Sequence, residues 1–146
     1  MEDLLAMARR PAVTIGPDAT AHEAAALMVA EKVGAAVVLD GGGKLLGIVS
    51  ERDIMARLVV PKRDPGTTHV REIMTSKVLT ALASETPQSA LEKMVAHHIR
   101  HLPIVDASGA VLGTLSVRHL LREQLGALAL RTVDLENFIA ADGAGG

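Results

Sequence analysis

Two stretches of the sequence set a serine three residues ahead of a second polar side chain: Ser50 and Asp53 in GIVSERDI, and Ser116 and His119 in GTLSVRHL. A serine and a carboxylate at this spacing can do two kinds of chemistry. The serine oxygen can accept the N–H three residues on while the carboxylate reaches back to the serine N–H, which starts a helix. The same carboxylate is an acceptor with two oxygens, suited to a cis-diol, and the backbone donors at a helix start suit an anion. Ser50 and Asp53 fit both roles. At the matching place His119 offers one donor and one acceptor when neutral, so it cannot hold a diol in the same way.

Other chemistry-bearing residues are sparser. Arg100 and His101 form a basic pair ahead of the apolar stretch LPIVD. His97 and His101 are four apart, but that spacing makes a metal pair only on one continuous helix, and His101 falls where a strand should begin. The run DGGGK lacks the spacing of a phosphate loop and reads as a hairpin turn. Arg52 and Arg118 recur at equivalent positions and fit either a phosphate contact or a solvated helix face.

The elements that position these residues occur twice. The segment from Ala12 aligns without a gap on the segment from Val78, at an offset of about 66 residues. Thr14 meets Thr80, Thr20 meets Thr86, Asp40 meets Asp106, Gly47 meets Gly113 and Ser50 meets Ser116. Each copy reads as a short strand (AVTI, VLTA), a helix capped by Thr20 or Thr86, two strands joined by GGGK or ASGA, and a helix from Ser50 or Ser116. The expectation is an α/β (α+β) protein of two β-α-β-β-α repeats, packed sheet to sheet with pseudo-twofold symmetry around a shared core. The first repeat spans residues 1–60, a Pro- and Gly-bearing linker 61–69, the second repeat 70–126, and an amphipathic C-terminal helix with a disordered tail 127–146. The VREIM after the linker matches LLAMA near the N-terminus as a short docking helix.

Composition narrows the function. The chain has 146 residues with a net charge of −2, both signs scattered, so no basic footprint for nucleic acid stands out. One Phe and no Tyr or Trp leave no stacking platform for single strands. Without cysteine there are no disulfides, thiolate metal sites or cysteine nucleophiles. Charges interrupt each apolar run, and the N-terminus is acidic before it is basic, so a soluble cytoplasmic protein is expected, neither membrane-spanning nor secreted. No nucleophile–base pair stands out, and the chain is not expected to be an enzyme.

The duplicated GIVSERDI ending, the VREIMT lead-in and the IRHLPIVD strand start together resemble a tandem pair of CBS domains, also called a Bateman module, over about Leu4 to Leu121. The resemblance implies a stand-alone regulatory module. It would bind an adenosine-containing ligand (AMP, ADP, ATP or S-adenosylmethionine) between the repeats, require no cofactor or metal, form a homodimer and modulate a partner protein. By the same resemblance Asp53 would hold the ribose and Ser50 would contact phosphate or ribose. Arg100 and His101 would meet the phosphates, and Thr14, Ile15 and Thr80 would lie by the adenine. Ser116 and Arg118 would contribute from the second repeat. One cleft would thus be complete, whereas the related one has His119 for the aspartate and Gly34 and Ala35 for the basic pair. Apolar Ile54, Leu58, Leu120 and Leu121 are the expected dimer face. The rival reading is a ligand-free interaction module with vestigial clefts.

Overall fold

A computed structural model describes residues 4–128, with side chains through residue 123. The expected C-terminal helix and tail over 127–146 lie almost wholly outside the described residues. After a single 3₁₀ turn at Leu4–Met7, the first repeat runs β1 (Thr14–Ile15), α1 (Ala21–Glu31), β2 (Ala35–Leu39), β3 (Leu45–Ser50) and α2 (Glu51–Ile54). The second runs α3 (Val70–Ile73), β4 (Ala81–Leu82), α4 (Pro87–Ala96), β5 (His101–Val105), β6 (Val111–Ser116) and α5 (Val117–Leu128). There are two three-stranded sheets, ordered β1-β2-β3 and β4-β5-β6. In each, the first pair is parallel and the second antiparallel. A parallel pair needs a crossover, which α1 and α4 supply, whereas an antiparallel pair needs only a hairpin.

The local signals act as their chemistry dictates. Thr20 caps α1 reciprocally with Glu23: its Oγ1 accepts the Glu23 N–H at 3.1 Å, and Glu23 Oε1 accepts the Thr20 N–H at 3.0 Å. Thr86 Oγ1 accepts the Ser89 N–H at 3.0 Å, with Pro87 opening α4. Both hairpins turn on an aspartate. Asp40 Oδ1 accepts the N–H groups of Gly42 and Lys44, each at 2.9 Å, and Asp106 Oδ1 accepts those of Ser108 at 2.9 Å and Ala110 at 3.0 Å. Gly43 and Gly109 take φ of +87° and +90°, where a Cβ would be strained.

The first strand of each repeat is shorter than its apolar run. Val37 N–H bonds to Val13 O at 2.8 Å, extending contact beyond β1. The equivalent residue in β5 is Pro103, which has no N–H to give, and β4 accordingly starts one step later. On its other side Pro103 still pairs with Thr114 of β6.

The hydrophobic interior forms two clusters rather than the single shared core expected. The first joins Leu4 and Met7 to Ala81, Ala90, Met94, Leu102, Ile104, Leu115, Leu120 and Leu121. The second joins Val70 and Ile73 to Ala21, Ala24, Met28, Ala36, Val38, Val49 and Leu58. Each lead-in turn therefore completes the core of the other repeat. The crossing is stitched by backbone pairs: Arg9 exchanges both bonds with Thr114, and Thr75 exchanges both with Ile48. Gly47 and Gly113 make room for it. A Cβ on Gly47 would lie 2.7 Å from Thr75 O, and one on Gly113 would lie 2.8 Å from Arg9 O.

The expected dimer face needs correction. Leu58, Leu120 and Leu121 are buried within one chain, and Ile54 packs against the first repeat's core. After α2 the chain widens into a π-helical turn, Met55–Val59, where Val60 N–H reaches back to Met55 O. This turns Leu58 inward and leaves Met55, Val59 and Val60 outside, 62%, 61% and 75% exposed.

Candidate functional site

At the end of β3 the Ser50–Asp53 pair forms the reciprocal cap. Ser50 Oγ accepts the Asp53 N–H at 3.3 Å, and Asp53 Oδ2 accepts the Ser50 N–H at 2.9 Å and the Ser50 hydroxyl at 3.1 Å. Thr75 Oγ1, carried in by the crossing lead-in, donates to Asp53 Oδ1 at 3.0 Å, and Arg57 Nε stands 4.0 Å from the same oxygen. Asp53 is only 6% exposed, so these bonds are what keep a buried carboxylate tolerable. At the end of β6, Ser116 Oγ accepts the His119 N–H at 3.1 Å. The half-exposed His119 ring has its Nε2 3.9 Å from Glu123 Oε1.

The starts of the middle strands meet across the pseudo-twofold axis. The Gly34 carbonyl accepts the Glu51 N–H at 3.0 Å, and the Arg100 carbonyl accepts the Val117 N–H at 2.9 Å, an equivalent pair. The His101 ring comes from the second repeat to the start of α2. A Cβ on Gly34 would sit 3.0 Å from its Cε1 and Nε2 and 3.4 Å from Glu51 Oε1. His97 lies at the C-cap of α4 and His98 takes φ of 54°, so the helix has ended before His101 begins β5.

A cleft of about 560 Å³ opens beside this meeting point, a size suited to a small ligand. It lies on the His119 side. His101, Ser116 and Arg118 of the expected site residues line it, together with Arg9, Lys32, His119 and Arg122. Ser50, Asp53 and Arg100 are not in its wall. Thr14 lines an adjoining hollow of about 550 Å³ with Arg9, Arg10 and Glu31. Ile15 pairs with Val38 in the first sheet. Thr80 lies just before β4, where its carbonyl accepts Lys93 Nζ at 2.7 Å.

Three cations of this cleft escaped the sequence reading. Arg122 follows Arg118 by four residues on α5, a spacing that was readable. Arg9 reaches the site only because its lead-in crosses to the second sheet. Lys32 ends α1 in the left-handed region at φ 58°, a conformation visible only in the structure. Thr114 Oγ1, also in the wall, is shut off from solvent and makes no hydrogen bond among the described residues. Among the described residues no group of three or more His, Cys, Asp or Glu could hold a metal ion, and no helix is long and apolar enough to cross a membrane.

The architecture is matched in known proteins. The family model for the CBS domain matches residues 2–60 and 70–126. The CBS domain-containing protein YhcV of Bacillus subtilis is 36% identical over 129 residues, covering 86% of this chain and 90% of that protein. Inosine-5'-monophosphate dehydrogenase of Methanocaldococcus jannaschii is 31% identical over 112 residues, 77% of this chain but only 21% of the enzyme. The structure of CBS domain protein PAE2072 from Pyrobaculum aerophilum, complexed with AMP, superposes with a TM-score of 0.75 at 32% identity, covering 81% of this chain and 89% of that one. With two matched segments spanning most of its length and the same paired sheets, the chain belongs to the CBS domain family, as a tandem pair.

Proposed function

We propose that this chain is a regulatory module, not an enzyme, that binds an adenosine-containing ligand between its repeats and modulates a partner protein. The observation that carries the reading is the Asp53 carboxylate held with Ser50 at the start of α2, with the His101 ring of the second repeat reaching the neighbouring Gly34 and Glu51. In this reading Asp53 accepts the ribose hydroxyls, Ser50 supports them, and Arg100 and His101 meet the phosphates. The adenine lies against backbone near Thr14, Ile15 and Thr80. The AMP bound by the Pyrobaculum protein supports AMP as a ligand here, with ADP, ATP and S-adenosylmethionine as the alternatives to test. The resemblance to one segment of a dehydrogenase supports a regulatory role. A homodimer in the cytoplasm completes the proposal, with the exposed Met55, Val59 and Val60 as its apolar contact.

One observation favours the second reading, a ligand-free interaction module: the Asp53 carboxylate already accepts three hydrogen bonds within the chain. Calorimetric titration with AMP, ADP, ATP and S-adenosylmethionine separates the two. Saturable binding that Asp53→Ala weakens supports the sensor. No heat and no concentration-dependent rise in melting temperature with any of the four supports the interaction module.

A further inference from the structure

The wall of the His119-side cleft differs in chemistry from the equivalent positions around Asp53 at several places. Where the first repeat has Asp53, the second has His119; where Ile48 stands, there is Thr114. Thr75 corresponds to Arg9, His98 to Lys32 and Ala56 to Arg122. These five changes share a direction, against the replacement of the basic pair Arg100 and His101 by Gly34 and Ala35. The His119 side loses the carboxylate suited to a diol and gains cations and a buried hydroxyl. Among the described residues its wall holds Arg9, Lys32, Arg118 and Arg122 and no Asp or Glu, in a chain of net charge −2. Acidic groups stand only nearby: Glu31 pairs with Arg9 at 2.7 Å, Glu123 lies 3.9 Å from His119, and Glu51 is close to His101. Arg9 has five N–H donors, so its bond to Glu31 leaves others for a ligand.

We infer that the His119-side cleft binds a di- or triphosphate group as such, without a ribose clamp. The cations come from four separate places: the N-terminal lead-in, the end of α1, and two turns of α5. They surround a volume that fits several phosphates. Arginine forks match phosphate oxygens in pairs, and lysine adds a point charge. Ser116 caps α5 beside them, so the first N–H groups of a twelve-residue helix lie at the same wall. The group can be free polyphosphate or the tail of a nucleotide, and the experiment separates these sources. The inference stands apart from ribose binding at Asp53.

The test is calorimetric titration of the full chain carrying Asp53→Asn, which isolates this cleft, at fixed ionic strength. The probes are sodium tripolyphosphate, ATP, AMP and adenosine. Tripolyphosphate is expected to bind once per chain, with ATP no tighter and adenosine giving no heat. Adding Lys32→Gly and Arg122→Gln together should weaken tripolyphosphate about 100-fold, the loss of charge-assisted hydrogen bonds. A charge-matched control, Lys44→Gln with Lys62→Gln, alters exposed lysines outside the cleft and should leave affinity unchanged. Melting temperatures confirm that each variant is folded. No tripolyphosphate binding at millimolar concentration would overturn the inference. So would equal weakening by the control pair, which means a diffuse charge effect, or ATP binding tenfold tighter than tripolyphosphate, which means nucleoside recognition. If adenosine and AMP bind the native chain while tripolyphosphate does not, the inference fails and the proposed function stands. The reverse pattern sinks the ribose assignment and keeps the polyphosphate cleft.

Discussion

The His101 ring lies where a Gly34 side chain would be: a Cβ on Gly34 would meet its Cε1 and Nε2 at 3.0 Å. The loss of a basic residue at position 34 and the presence of one at position 101 are thus one packing arrangement. Across the pseudo-twofold axis there is room for a single large side chain at this height, and the second repeat supplies it.

The crossing of the lead-ins predicts how glycines behave. Gly47→Ala forces a methyl against Thr75 O and the Met74 sulfur, at 2.7 and 2.8 Å, and backbone cannot step aside cheaply. A loss of about 1–3 kcal/mol is expected in urea unfolding. Gly41→Ala, which meets nothing within 4 Å, is the control and should change stability little.

Lys32 and His98 occupy equivalent helix ends with φ of 58° and 54°, a region that costs a side-chain-bearing residue about 1 kcal/mol. Lys32→Gly and His98→Gly should each raise the melting temperature modestly. A fall in both would mean that side-chain contacts outweigh the backbone strain.

Asp53 and His119 are expected to part company in two measurements. Asp53→Ala strands the Ser50 N–H and the Thr75 hydroxyl and should cost about 2 kcal/mol of stability. On the ribose assignment it should also weaken nucleotide binding by roughly 2–4 kcal/mol. His119→Ala removes a half-exposed ring that is 3.9 Å from Glu123, and stability should scarcely move.

Acid sensitivity has a local source in the second hairpin. The Ser108 hydroxyl, then the backbone N–H groups of Ala110, Ser108 and Gly109, hold the Asp106 carboxyl below its ordinary value of 3.8, against an opposing effect of burial. A depressed folded pKa means the group favours folding above the unfolded value and loses that contribution as pH falls through the folded one. Asp106→Asn should therefore flatten the drop in melting temperature below about pH 4 relative to the native chain. An unchanged acid limb would remove Asp106 as a source.

Much of this molecule was legible residue by residue. Thr20 with Glu23 and Thr86 with Pro87 marked helix starts because capping is local chemistry. The repeats could be read twice, so the runs GGGK and ASGA identified both hairpins. What escaped depends on contacts distant in sequence. Gly47 and Gly113 were visible as equivalent glycines, but the carbonyls of Thr75 and Arg9 that require them belong to the opposite repeat. Leu58, Leu120 and Leu121 read as a free apolar face because nothing local shows that a π-helical turn or a borrowed lead-in covers them. The cationic cleft draws Arg9, Lys32 and Arg122 from three separate segments, and no spacing rule joins those.

The exchanged lead-ins also govern the order of assembly. Leu4 and Met7 are synthesised before either repeat, yet their seat among Leu115, Leu120 and Leu121 is made after both. The first repeat must wait as well, since Val70 and Ile73 emerge only after its own strands are complete. Neither half can close its interior independently, and contacts between segments far apart in sequence slow folding. Severing the backbone between the repeats should leave two fragments that fold only on meeting, each bringing the wedge that seals the other.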